Sequence, residues 1–212
     1  MAKTAATLKP QKTDAPAPKH QAIVRAATRV FLESGYGAAS MDAIAAEAGV
    51  SKQTVYSHFG AKDALFEAII EDKCDELLQP VFLKLVHGQD HAETLKEVAR
   101  RFLAAILAPN STALFRVLLA ECGRFPGLAE TFYRAGPGTA VKTLAGFLTE
   151  LNSAGALSVA DATASARQFF ALMRGDLYMR RLLDLTKEPS TPEIEAVADE
   201  AVSAFLALHA PQ

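Results

Sequence analysis

The sequence predicts an all-α protein, and three observations carry that expectation. Apolar residues recur at three- and four-residue intervals, alanine is abundant, and no stretch alternates apolar with polar over a strand's length. Ile23, Ala27, Val30 and Phe31 form one helical stripe, and Leu95, Val98, Phe102 and Ile106 form another. Val141, Leu144, Leu148 and Leu151 make a third, and Ile194, Val197, Ala198, Ala201, Val202 and Phe205 a fourth. Prolines at 80, 109, 126, 137, 189 and 192 cut the chain into windows mostly one or two helices long. About nine or ten helices are expected, short ones first and longer ones after.

The elements follow in order from local signals. Residues 1–19, with Pro10, Pro16 and Pro18 among Lys, Thr, Ala and Gln, read as a disordered basic tail. Its lysines Lys9, Lys12 and Lys19 are either solvated or add nonspecific phosphate contacts. A helix over 21–34 is ended by Gly35 and Gly37. Ser40 caps a short helix over 41–48, closed by Gly49, and Ser51 caps a second over 52–59, closed by Gly60. Downstream, Gly123 closes a helix ending near Cys122, and Gly155 closes one over 139–154. Helices over 161–184 and 192–209 complete the chain, the last opened by Thr191 as N-cap and Pro192 at the first helical position.

Composition narrows the class. Half of the 212 residues are apolar and 22% are charged, a globular balance with enough material for a core. No run reaches the roughly 18 apolar residues that span a bilayer, and the first residues have no apolar signal region. A soluble cytoplasmic protein with no membrane association is the expectation. Cys74 and Cys122 are too few for a disulfide framework, and their spacing fits no zinc pattern. The net charge of −2 hides an asymmetry. Residues 1–62 hold eight Lys and Arg against four Asp and Glu, and the remainder holds fourteen against twenty. A basic front suits an anionic partner, although a chance imbalance reads the same way.

Residues 21–66 carry the chemistry. Two short helices joined by a tight glycine turn form a helix-turn-helix, whose second helix enters the major groove of a duplex. Gly49 suits the turn because the chain there needs positive φ. Small Ala45 and Ala48 let the helices approach, and Val55 and Phe59, four apart, face inward. Lys52, Gln53, Thr54, Tyr56 and His58 are left on other faces, with side chains suited to base edges and phosphates.

The run from Ser40 to Phe66, above all Thr54-Val55-Tyr56-Ser57-His58-Phe59 followed by Lys62, closely resembles the DNA-binding module of TetR-type transcriptional regulators. The resemblance is specific over residues 21–70 and implies a boundary after residue 66, with 20–66 reading DNA and 67–212 binding effector and dimerising. It implies phosphate contacts from Ser40, Tyr56, His58 and Lys62, and base and backbone contacts from Ser51, Lys52, Gln53 and Thr54. Ala61 departs from the pattern, standing where the family usually has Ser or Asn before the lysine.

A module this small reads few base pairs, so a homodimer on a palindromic operator is expected, with its interface in the helices of 139–209. Phe102, Ile106, Phe115, Leu119, Phe132, Tyr133, Phe147, Phe169 and Met173 are the candidates to line a pocket for a small, mainly apolar effector. Plain core is the competing reading for each. The segment from Phe115 to Gly138 resembles the AefR-like subgroup. Effector binding is expected to swing the fourth helix, over 62–78, and release the operator; repression is the family's usual outcome, with activation left open.

Other patterns fall away. Gly35-Tyr36-Gly37-Ala38-Ala39-Ser40 follows a helix rather than a strand and lacks the third glycine of a dinucleotide fingerprint. His87 and His91 have a metal-ligand spacing but no third ligand, and Glu71, Asp72, Asp75 and Glu76 read as a solvated face. Neither a catalytic motif nor a cofactor or metal site is evident, so an enzyme is not expected. The remaining alternative is a helical binding protein whose helix-turn-helix does not read DNA.

Overall fold

The computed structural model describes residues 18–82 and 90–211; these hold helices and connecting turns and no strand. In chain order the helices are α1 (Pro18–Ala38), α2 (Met41–Ala48), α3 (Lys52–Phe59), α4 (Lys62–Phe82), α5 (His91–Leu107), α6 (Pro109–Glu121) and α7 (Pro126–Tyr133). A π turn (Arg134–Gly138) leads into α8 (Thr139–Ser153), followed by α9 (Ala162–Met173), α10 (Asp176–Leu182) and α11 (Thr191–Leu208). The expected tail, apart from its last two residues, and His87 lie outside the described residues. Pro18 and Lys19 open α1 instead of belonging to the tail, a start that suits proline's fixed φ.

Several elements differ from the sequence expectation for local reasons. Turns of α1 resume after a break at Gly35, where φ 76 and ψ 161 interrupt the helix. The helix expected over 161–184 is two, because Arg174 (φ −89, ψ 42) leaves the helical region and Gly175 begins α10. Ser190, not Thr191, caps α11. The Glu193 carboxylate accepts from both the backbone N–H and the hydroxyl of Ser190, a capping box that shifts the start by one residue. Those bonds hold the Glu193 carboxyl below the usual glutamate range.

Two hydrophobic cores organise the bundle. One joins α5, α8, α9 and α11 through Leu103, Leu144, Leu148, Phe169, Val202 and Phe205. The other joins α1, α2, α3 and α4 through Ile23, Phe31, Ile44, Val55, Leu65 and Phe66, and it also takes in Leu114 and Leu118 of α6 and Leu128 of α7. The packing therefore assigns α6 and α7 to the same core as the N-terminal helices, although they lie beyond residue 66.

Arg116 on α6 ties one core to the other. Its guanidinium donates to the carbonyls of Arg181 and Leu182, each at 2.8 Å. Arg181, buried itself, donates to the carbonyl of Leu107 at the end of α5. Both arginines reach Asp184, which has a positive φ of 59. Charged donors thus satisfy helix-terminal carbonyls that would otherwise lack partners.

Candidate nucleic-acid interface

The helix pair α2–α3 is fixed by its ends. The Ser40 hydroxyl accepts from the Ala43 N–H at 3.1 Å, satisfying a free donor at the start of α2. Gly49 sits at φ 66 and ψ 31, its N–H and that of Val50 returning to the carbonyls of Ala46 and Ala45. Its left-handed conformation closes α2 as a Schellman turn, for which glycine is the favoured residue. Two residues on, the Ser51 hydroxyl accepts from the Thr54 N–H at 3.1 Å and lies 2.8 Å from the Thr54 hydroxyl.

One side chain anchors the second helix. Val55 is fully buried in the core formed with Ile44, Ala45 and Leu65, a burial worth about 1.5–3 kcal/mol. Phe59 packs at the core's margin, its ring 4.8 Å from that of His20 at the start of α1. Arg29 and Glu47 pair at 2.6 Å and pin α1 to α2 on the outside. With the inner face so held, Lys52, Gln53, Tyr56, Ser57 and His58 stand exposed and Thr54 half-buried on the outer side of α3.

The exposed face has internal contacts of its own. The Lys52 ammonium lies 2.8 Å from the Asp42 carboxylate and 5.9 Å from the Tyr56 ring centroid. The hydrogen bond it donates to Asp42, and then the charge of that carboxylate, raise Lys52 above the ordinary lysine value, so it stays cationic. Both partners are in solvent, where an ion pair exchanges readily for another anion. Spacing alone did not indicate the Asp42 pairing, because the two residues are ten apart and on different helices.

Lys62 has contacts within the chain. Its ammonium donates to the carbonyls of Tyr36 at 2.6 Å, Ala39 at 3.0 Å and Gly37 at 3.3 Å, and lies 4.5 Å from the Tyr36 ring centroid. The lysine is turned back onto the end of α1, where the broken helix leaves carbonyls without partners. Sequence reading missed this joint, since only the break at Gly35 creates it. Of the candidates on α3 and its cap, Ser51, Lys52, Gln53, Tyr56 and His58 are exposed, as is Ser40, and Thr54 is half-buried, whereas the Lys62 ammonium is turned to carbonyls of α1.

The nine effector-pocket candidates are not brought together either. Phe102, Phe147, Phe169 and Met173 are buried in the α5–α8–α9–α11 core, with Ile106 packed against it. Phe115 and Phe132 pack on the other core, 5.5 Å apart between ring centroids, while Leu119 and Tyr133 are exposed. A helical stripe marks burial without saying which of two cores it enters. Tyr133 instead borders an open groove of about 480 Å³ between α8 and α9, with Lys142, Thr149 and Arg167 among its lining. Among the described residues no cluster of His, Cys, Asp or Glu could hold a metal ion, and no single helix is long and apolar enough to cross a membrane.

Fold and exposed face together define a helix-turn-helix regulator. The description of bacterial regulatory proteins of the tetR family matches residues 23–69, and that of the AefR-like transcriptional repressor C-terminal domain matches residues 93–211. The chain belongs to the TetR family: it is a transcriptional regulator with a DNA-binding helix-turn-helix, and not an enzyme. It is similar to a solved TetR-family regulator from Mesorhizobium loti, with TM-score 0.78, 28% identity, and 92% of this chain and 99% of that one covered. It is similar also to the flavonoid-responsive regulator FrrA, with TM-score 0.73, 37% identity, and 92% and 98% covered. The transcriptional activator FasR of Mycolicibacterium smegmatis is 39% identical over 80 residues, 38% of this chain and 36% of FasR. The chain spans about a third of the length of the curated relatives it matches.

Proposed function

We propose that the chain is a ligand-responsive repressor that binds a palindromic operator as a homodimer and releases it on binding a small, mainly apolar effector. The observation that carries the DNA-reading part is the outward display of Lys52, Gln53, Tyr56 and His58 around a helix anchored by buried Val55. Tyr56, His58 and Ser40 supply phosphate contacts, and Ser51, Lys52, Gln53 and Thr54 supply base and further backbone contacts. Lys62 acts from behind, holding the end of α1.

The paired state is supported by what α9 and α11 leave uncovered. Ala171 and Leu172 on α9, and Ala196, Ser203, Ala204 and Ala207 on α11, are exposed on faces turned from the core. Small residues on two adjacent helices permit close approach by the same helices of a second copy, and Leu172 and Leu208 add apolar area. The repressor reading takes support from the AefR-like match over residues 93–211. FrrA is flavonoid-responsive, which makes a flat phenolic compound the first effector to try.

The test is selection of duplexes from a randomised pool by the full chain, followed by titration across salt. An inverted repeat should emerge, with affinity falling steeply as salt rises, by a slope of about −0.9 per phosphate neutralised. Recovery of no preferred duplex would leave the alternative of a helical binding protein that does not read DNA.

A further inference from the structure

The turn between α6 and α7 is seated in the break of α1, and we propose that this joint sets the position of the DNA-reading helices, with Gly37 and Glu121 as its positioning residues. The inference rests on the DNA-reading function proposed above.

Space at the break is occupied from the far side. A Cβ on Gly37 would lie 3.2 Å from Glu121 Oε2 and 3.3 Å from Phe125 Cε2, and one on Gly35 would lie 3.1 Å from Glu121 Oε1. Contacts at those distances are tighter than ordinary van der Waals packing, so the α6–α7 turn fills the room that side chains at 35 and 37 would need. Glu121 Oε2 is buried without a hydrogen-bond partner, and Arg124 Nη1 stands 3.9 Å away. An oxygen in that condition is costly, so packing around the joint, not its own bonding, keeps it there.

From the joint a continuous set of contacts runs to α2. The Phe125 ring meets Tyr36 edge-on at 5.4 Å between centroids, and the Lys62 ammonium lies 6.0 Å from the Phe125 ring and 4.5 Å from that of Tyr36. The same ammonium holds the carbonyls of Gly37 and Ala39. Ala39 immediately precedes Ser40, the residue that caps α2, and α2 carries α3 through the shared core. A shift of the turn is therefore passed through Gly37 and Lys62 to the start of α2. Packed interiors respond to such shifts by repacking more than by bending.

Coupling of this kind is established only by measuring it between residues. Gly37 has no positive φ, so Gly37→Ala adds a methyl without backbone strain. The full chain would be compared with Gly37→Ala, Glu121→Ala and the double variant, using the duplex that the wild-type chain selects from a randomised pool. Gly37→Ala is expected to weaken binding at least tenfold and to speed amide exchange over residues 41–59, with α8 and α11 unchanged. Removing the Glu121 carboxylate in the same chain should recover most of both effects.

Wild-type binding and exchange in Gly37→Ala, or a double variant no better than Gly37→Ala, would overturn the proposal. Exchange needs no DNA, so it decides the joint even if the wild-type chain selects no duplex and the DNA reading fails. Should Gly37→Ala not fold, Phe125→Leu tests the same joint from α6–α7: faster exchange over 41–59 supports it, and unchanged exchange refutes it.

Discussion

The hydroxyl of Tyr36, at the end of α1, donates to the carboxylate of Asp63 in the first turn of α4. The neighbouring Lys62 donates its ammonium to the backbone carbonyl of the same Tyr36. Neighbouring residues of α4 thus grip one residue of α1 by its side chain and its backbone. This double hold fixes the angle between the helix that leads into the reading unit and the helix that leads out of it.

Tyr36 gives the first prediction. Burial, and then the hydrogen bond and charge of Asp63, push its phenol well above the ordinary tyrosine value of 10. A raised acid favours the folded chain while protonated, so this stabilisation is complete below pH 10 and is lost as pH climbs from there towards the folded-state value. Tyr36→Phe should cost about 1–2 kcal/mol in urea unfolding at neutral pH. Followed by phenolate absorbance, the wild-type chain should hold Tyr36 protonated until it unfolds. Early ionisation of that residue, read as the difference from Tyr36→Phe, would contradict the geometry.

Lys62 separates two roles that its position alone confuses. Lys62→Met keeps the stem and strips donors from the carbonyls of Tyr36, Gly37 and Ala39. Loss of about 1–3 kcal/mol of stability is expected, together with weaker operator binding and an unchanged salt slope. A phosphate contact would instead lower the slope by about one. Salt titration of the variant decides between them.

Residues on the outer side of α3 should divide by what they touch. Tyr56→Ala and His58→Ala are expected to weaken binding to every duplex alike, while Lys52→Ala and Gln53→Ala shift the preferred bases. Because these side chains are exposed, each variant should keep its folding stability within about 0.5 kcal/mol of the parent. Competition binding against a panel of single-base operator changes reads the division directly.

The proposed paired state has its own test. Leu172→Glu or Ala204→Glu places charge on the uncovered faces of α9 and α11 without entering either core. Light scattering after gel filtration should show monomers. Operator affinity should fall at least a hundredfold, since one half-site remains where two were read, while unfolding of the monomer stays cooperative. A variant that stays dimeric would move the interface elsewhere.

The reading unit was legible because its signals are local. Ser40, Ser51 and Gly49 act within one turn of where they stand, and Val55 is buried at the spacing its helix demands. The bounds of α2 and α3 therefore agree with the sequence expectation residue for residue. Lys62 was not legible, because the direction of a long flexible side chain depends on acceptors in another helix. The break at 174–175 also escaped, since Leu172, Met173, Leu177 and Tyr178 keep an apolar spacing across it. Effector residues were the least readable: one stripe looks like another until neighbours are known.

Helix type, the caps, the turn and the exposed character of α3 were determined by sequence alone, since each follows from backbone preference and amphipathic spacing over a few residues. Tertiary structure decided which helices share a core, and it placed α6 and α7 with α1–α4. It also turned Lys62 inward and seated Glu121 against the break at Gly35. These outcomes depend on contacts between residues far apart in the chain, whose energies arise only when packing brings them within a few ångströms.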